Sequence, residues 1–315
     1  MYESFFGLRE RAFDLTPNPR FLLLTPAHRE AISNLTYAVA SSQGLTLLIG
    51  EAGTGKTTVI RRVAGMQYES RADGARLVHL SNPILTRGEF LEFLAESFAL
   101  GFEAYASKTR LLRELAHVLH RQHQYGNTSA LVIDEAQSLP DDLLEEIRLL
   151  ANIESDTHKL LPIVLAGQPE LGTRLNEWRF RHLKQRVSLR CVLAPLTLGE
   201  AAVYIAARVR LAGGDAGRVF SRDGVIAIHT RSRGIPRTIN VICENALITA
   251  FATRRATVDA DLVEQVSRDF DLEEPAGQVP AGAHVLSQAP PSVRQFRPAF
   301  ARSLLAGWPR VAKRT

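Results

Sequence analysis

Cysteine is nearly absent from this chain. Cys191 and Cys243 stand alone in apolar surroundings, with no spacing that would suit a metal. That excludes a disulfide framework and a zinc site built on cysteine, and two buried, reduced thiols are expected. Long apolar runs are missing too: no stretch approaches the roughly 18 to 20 residues that a membrane-spanning helix needs. The opening Met1-Tyr2-Glu3-Ser4 has no basic segment followed by an apolar core, so no secretory signal is read there and a cytoplasmic location is expected.

Acidic residues are lacking in one region only. None follows Glu274, whereas Arg294, Arg297, Arg302, Arg310, Lys313 and Arg314 all lie beyond it. Subtracting those six charges from the net +5 leaves the first 274 residues at −1, so basicity belongs to the tail. Pro275, Pro280, Pro290, Pro291, Pro298 and Pro309 punctuate the same stretch, and residues 271–315 read as a disordered basic tail. Phe296, Phe300, Leu304, Leu305 and Trp308 leave open a short amphipathic helix between the last two prolines.

What remains is an ordinary globular composition, 45% hydrophobic and 23% charged over 315 residues, enough for about two domains. Its strongest local signal is Gly50-Glu51-Ala52-Gly53-Thr54-Gly55-Lys56-Thr57-Thr58. This matches G-x-x-x-x-G-K-[ST] and lies between an apolar run, Leu45 to Ile49, and a helical pattern through Val59, Ile60, Val63 and Ala64. A glycine loop ending in a helix start turns backbone N–H groups and partial positive charge towards a phosphate. Lys56 is expected to reach the β- and γ-phosphates of ATP, and the Thr57 hydroxyl to take one position on Mg²⁺.

Around that loop, strands are predicted at 45–49, 75–80, 129–133, 160–166 and 187–193. Helices are predicted near 28–42, 56 onward, 87–100, 107–125 and 141–153. Near-continuous apolar strands alternating with helices specify an α/β fold with a five-stranded parallel sheet covered on both faces. After 196 the strands stop. Thr197-Leu198-Gly199-Glu200 is a capping box, and helices fit 197–212, 221–230, 236–254 and 259–270, a small all-helical lid. The expected organisation is an N-terminal aromatic and proline-rich arm with a first helix at 1–44, a nucleotide-binding core at 45–195, the lid at 196–270, then the tail. For the arm, with Tyr2, Phe5, Phe6, Phe13 and Phe21, two readings stand: lining a base pocket, or simply packing on the core. His117, His120 and His123 recur at helical spacing without a carboxylate or cysteine to complete a metal site, and read as a solvated face.

Hydrolysis needs more than phosphate binding. About 80 residues after the loop, the strand Leu131-Val132-Ile133 ends in Asp134-Glu135, which puts carboxylates at the sheet edge where ligands bind in open α/β folds. Asp134 is expected to hold Mg²⁺ through its waters and Glu135 to act as general base on the attacking water. Gln168, after the fourth strand, is placed to orient water or touch the γ-phosphate. Arg179, Arg181 and Arg186 precede the fifth strand and Arg237 opens a lid helix, each suited to phosphate oxygens.

With these residues in place, the first 270 or so residues resemble the AAA+ ATPases, and specifically the ExeA-type family of secretion and pilus-biogenesis ATPases. Transposition helper ATPases of the TniB kind and exosortase- or exopolysaccharide-associated ATPases are near relatives. The resemblance is carried by Tyr2 to Leu8, Phe13 to Leu22, His28-Arg29-Glu30-Ala31, the loop Gly50 to Thr58, Asp134-Glu135-Ala136-Gln137 and Gly167-Gln168-Pro169-Glu170-Leu171. Ala12 stands where the family usually has proline. The resemblance implies that Gln168 is the sensor-1 residue, Arg237 the sensor-2 residue of the lid, and Arg186 an arginine finger offered to the next subunit. It therefore implies a homo-oligomer with ATP at the subunit interface and a protein partner in an envelope secretion, pilus or exopolysaccharide system. Secretion-type members often continue into a membrane span and a peptidoglycan-binding domain; with neither read here, the exopolysaccharide-associated group or a soluble helper is expected. Attachment at the inner membrane would then be peripheral, through partners. The alternative is an ATP-dependent DNA-binding helper of transposition, with the basic tail making salt-sensitive phosphate contacts.

Overall fold

The computed structural model describes residues 1–14, 21, 23–70, 77–101, 107–155 and 158–270. The expected disordered tail, most of the proline phrase at 15–20 and the first two residues of the second predicted strand lie outside these. The described chain divides into two compact units, residues 24–194 and residues 1–23 with 195 onward. Residues 1–44, grouped as one segment from the sequence, are thus shared between the units at Leu23/Leu24.

The first unit is the parallel sheet with its helices. Strands β1 (Leu45–Gly50), β2 (Leu77–Leu80), β3 (Ala130–Ile133), β4 (Ile163–Gly167) and β5 (Val187–Leu193) lie in the order β2-β3-β4-β1-β5, all parallel. Side chains alternate across a strand, and both faces are buried. Leu45, Leu47 and Ile49 of β1 join Leu131, Ile133, Ile163 and Leu165 on one face. Phe90, Leu94, Leu111, Leu115, Leu143 and Ile147 cover that face. They come from α4 (Arg87–Ser97), α5 (Lys108–Gln124) and α6 (Asp141–Leu150). Leu48, Val132, Val164 and Ala166 point the other way, onto α2 (Pro26–Ala40) and α3 (Lys56–Ser70). Two covered faces explain why β1, β3 and β4 are buried throughout, whereas the edge strand β5 exposes Ser188, Arg190 and Val192 on alternate positions.

The second unit is helical. With the short α7 (Pro169–Arg174) and α8 (Arg181–Lys184) belonging to the first unit, this one holds α1 (Tyr2–Phe5), α9 (Leu198–Leu211), α10 (Ala216–Val219), α11 (Arg222–Ser232), α12 (Pro236–Ala252) and α13 (Ala260–Asp269). The capping box read at Thr197 is formed in full, with Thr197 Oγ1 and the Glu200 carboxylate each meeting the other's backbone N–H. The N-terminal arm belongs to this unit: Tyr2, Phe6, Leu8, Phe13 and Phe21 are buried in the same core as Ile205, Phe220, Ile239 and Leu247. The arm is thus packed in the core of the helical unit. Buried Arg208 fastens it, with Nε donating to the Ala12 carbonyl at 2.7 Å and Nη1 to the Tyr204 hydroxyl at 2.6 Å. The Arg208 guanidinium also faces the Phe13 and Phe21 rings at 5.8 and 5.2 Å. At the start of the arm, the Tyr2 hydroxyl donates to Glu244 of α12 at 2.7 Å. Cys191 and Cys243 are both buried free thiols, and burial raises the pKa of each.

Candidate phosphate and hydrolysis site

Parallel strands end together, so three sequence-distant segments meet at one edge of the sheet. Ile49 pairs with Gly167, and Ile133 with Leu165. The loop after β1, Asp134-Glu135 after β3 and Gln168 after β4 therefore share the carboxyl edge.

The loop is shaped by its glycines. Gly53 and Gly55 have φ of +83° and +101°, a region that L side chains rarely enter. A Cβ at Gly50 would stand 2.7 Å from Thr54 Oγ1 and 2.9 Å from the Leu193 carbonyl oxygen. Lys56, the first residue of α3, is only 4% exposed. Its ammonium donates to the carbonyls of Gly50 at 2.8 Å and Glu51 at 3.1 Å. Burial pushes its pKa down, and the Glu135 and Asp134 carboxylates oppose that in part. Buried Asp134 uses both oxygens: Oδ2 accepts from Thr57 Oγ1 at 2.6 Å, and Oδ1 from the Glu135 N–H at 2.9 Å.

These residues fit a nucleotide polyphosphate with Mg²⁺. A cradle too tight for a Cβ admits a phosphate oxygen to backbone N–H groups, and a buried ammonium satisfied only by carbonyls has donors to offer an anion. A hydroxyl and a carboxylate in contact form the all-oxygen donor set that Mg²⁺ prefers.

Two residues with no role assigned from the sequence belong to this edge. His28 of α2 is buried with Nδ1 2.7 Å from Thr25 Oγ1 and Nε2 2.9 Å from the Thr54 carbonyl, and a Cβ on Gly55 would meet that Nε2 at 2.8 Å. It buttresses the loop from behind. Gln137 is the second, joining Glu135 to the backbone of Gln168. Nothing in periodicity or spacing signals either role, since the contacts that tie them to the loop and to β4 are to the main chain at Thr54 and Gln168.

Strand register places one of the arginines read from the sequence. Arg186 precedes β5, whose first residue pairs with Leu45 at the start of β1. It therefore stands at the opposite edge of the sheet from the loop, roughly 15 to 20 Å away along five residues of strand. There it lines a cleft of about 520 Å³ with Ser41, Ser42 and Lys159, and its Nε is buried with no hydrogen-bond partner among the described residues. Arg179 is engaged with Asp141 and Glu177, and Arg181 lies 3.4 Å over the exposed Trp178 ring. Arg237 is the exposed second residue of α12, in the helical unit. No described helix is long and apolar enough to cross a membrane.

A family model described as an AAA domain matches residues 39–175, which include the phosphate loop, Asp134-Glu135, Gln137 and Gln168. General secretion pathway protein A of Aeromonas hydrophila is 38% identical over 252 residues, 80% of this chain and 45% of that protein. The chain thus spans about half the length of this curated relative. Among solved structures, the Aeropyrum pernix ORC2 protein aligns with a TM-score of 0.55 at 17% identity, covering 86% of this chain and 74% of that one. A Walker-type ATPase of Pyrococcus abyssi gives 0.58 at 16%, covering 82% and 76%. At those identities the structures speak to the fold alone, while the sequence likeness runs through both the sheet and the helices. The chain belongs to the AAA+ ATPase family, in the ExeA-type group that includes General secretion pathway protein A.

Proposed function

We propose that this chain is a Mg²⁺-dependent ATPase that works as a homo-oligomer and drives assembly or export in an envelope secretion, pilus or exopolysaccharide system. The observation that carries the enzymatic part is the contact of Thr57 with Asp134 beside Glu135, at the mouth of a complete phosphate loop. Mg²⁺, when bound by Thr57 and Asp134, neutralises charge on the β- and γ-phosphate oxygens. The chain's own residues do the rest. Residues Gly50 to Thr58 bind the phosphates through backbone N–H groups and the Lys56 ammonium. Glu135 accepts the proton of the attacking water, and the Gln168 amide orients that water or the γ-phosphate; ATP and water give ADP and phosphate. Arg237 contributes from the lid, and Arg186, too far along the sheet to serve its own loop, serves the nucleotide of a neighbouring subunit. The likeness to General secretion pathway protein A supports the envelope role. We place the protein in the cytoplasm, meeting the inner membrane through partners.

Glu135→Gln is the direct test. The amide fills the same volume and cannot take a proton, so ATP binding measured by calorimetric titration should persist while phosphate release stops. Hydrolysis at the wild-type rate would remove Glu135 from the role of base.

A further inference from the structure

Gln137 touches the carboxylate of the proposed base and the backbone of the residue read as facing the γ-phosphate. It lies in a single 3₁₀ turn, Ala136–Ser138, directly after Glu135. Its Nε2 donates to Glu135 Oε2 at 2.6 Å, and its Oε1 accepts the backbone N–H of Gln168 at 3.0 Å. The orientation of the amide follows from those neighbours: turned end for end, it would set an oxygen against a carboxylate and an NH₂ against an N–H, losing both bonds.

The surroundings are built to keep it there. A Cβ on Gly167 would stand 2.9 Å from Gln137 Oε1, so the end of β4 has room for the amide only because that residue is glycine. The Gln137 carbonyl accepts from Arg174 Nη1 at 3.2 Å, which ties the turn to α7 (Pro169–Arg174). Glu135 itself has φ of +52°, a left-handed conformation that costs a non-glycine residue about 1 to 2 kcal/mol and persists only where its neighbours hold it.

We propose that Gln137 is a positioning residue for ATP hydrolysis. Its amide spans from the Glu135 carboxylate to the Gln168 end of β4, so the base and the residue facing the γ-phosphate keep one geometry and move as a unit. The proposal rests on the reading of Glu135 as base. The side-chain hydrogen bonds of Gln137 go to Glu135 and to the Gln168 backbone, so its loss should change turnover more than nucleotide affinity. Misplacement of a catalytic group by about 1 Å costs on the order of 10²-fold in rate, which sets the scale.

The test uses the full chain with three substitutions, measuring kcat at saturating MgATP and affinity for a fluorescent ATP analogue. Gln137→Ala should lose roughly 10- to 100-fold in kcat with affinity changed by less than about threefold. Gln137→Glu keeps the length and the acceptor for the Gln168 N–H but sets a carboxylate against Glu135, and should be at least as slow. Gln137→Asn, one methylene short of spanning both partners, should not recover the rate. Wild-type kcat in Gln137→Ala or Gln137→Glu would overturn the proposal. So would a parallel fall of kcat, affinity and melting temperature in all three, which would mark a merely structural residue. Glu135→Gln run alongside separates the causes: if it is inactive while Gln137→Ala is fully active, only the positioning role fails. If Glu135→Gln is active, the reading of the base fails and takes this proposal with it.

Discussion

Replacing Lys56 by methionine separates what the phosphate loop needs in order to fold from what it needs in order to bind. In the structure the ammonium is buried and hydrogen-bonded to two loop carbonyls. Those charge-assisted bonds contribute about 1.5 to 3 kcal/mol each, but burying the charge costs several kcal/mol, so the two nearly cancel. The nucleotide-free variant should therefore differ in stability by no more than about 2 kcal/mol. Binding is another matter. Two charge-assisted bonds to phosphate oxygens amount to about 3 to 6 kcal/mol, or roughly 10²- to 10⁴-fold in Kd. At an ATP concentration of about 100 times the wild-type Kd, the wild-type protein gains about 2.7 kcal/mol of stability and the variant at most about 0.4. In a chain of this size that is a rise in Tm of roughly 5 to 10 °C against about 1 °C. Differential scanning calorimetry with and without MgATP reads both numbers in one experiment. An equal ATP-induced shift in the variant would refute the assignment of the phosphate site. A fall of more than about 10 °C in the nucleotide-free variant would show instead that Lys56 is a structural part of the fold.

Arg186→Ala should bind ATP and lose about 10³- to 10⁵-fold in turnover, with partial recovery when mixed with Glu135→Gln subunits, because mixed interfaces pair an intact base with an intact arginine. Specific activity that is independent of protein concentration, with no recovery on mixing, would assign the finger to Arg179 or Arg181 or make the enzyme a monomer. Gly50→Ala forces a Cβ against Thr54 Oγ1 and the Leu193 carbonyl. It should destabilise the sheet unit by about 1 to 3 kcal/mol in urea unfolding and weaken ATP binding; unchanged values for both would mean the loop relaxes freely. His79 of β2 has its Nε2 buried without a hydrogen-bond partner among the described residues; burial lowers its pKa, with Asp134 opposing and Arg61 adding. Because the unfolded chain then takes the proton first, stability present above about pH 6.5 is lost as the pH falls through the lower, folded-state pKa. The unfolding midpoint should drop between pH 7.5 and 5.5 by more in the wild type than in His79→Gln, and equal drops would exclude the histidine.

Local patterns of residues suffice for the parts whose information is contiguous. A strand, glycine loop and helix in succession name the phosphate site because every residue of it is contiguous, and a carboxylate pair at a strand's end is legible for the same reason. Thr197 and Glu200 announce the start of α9 through a motif of four residues. Apolar continuity in β1, β3 and β4 marks a sheet covered on both faces, since neither set of alternate side chains reaches water. Pairing is different, being non-local. That β1 lies between β4 and β5 depends on how crossovers fold back, and this order sets the Gly50 loop next to Gln168 and puts β4 between that loop and the strand that leads into Asp134. Likewise the aromatic arm carries no signal of its destination; Arg208, almost two hundred residues away, reaches the Ala12 carbonyl only after the helices have packed. His28 and Gln137 act through backbone groups at Thr54 and Gln168, and a main-chain partner leaves no trace in residue type. Only the folded chain, by bringing those carbonyls and N–H groups within hydrogen-bond reach, decided which polar side chains serve the site.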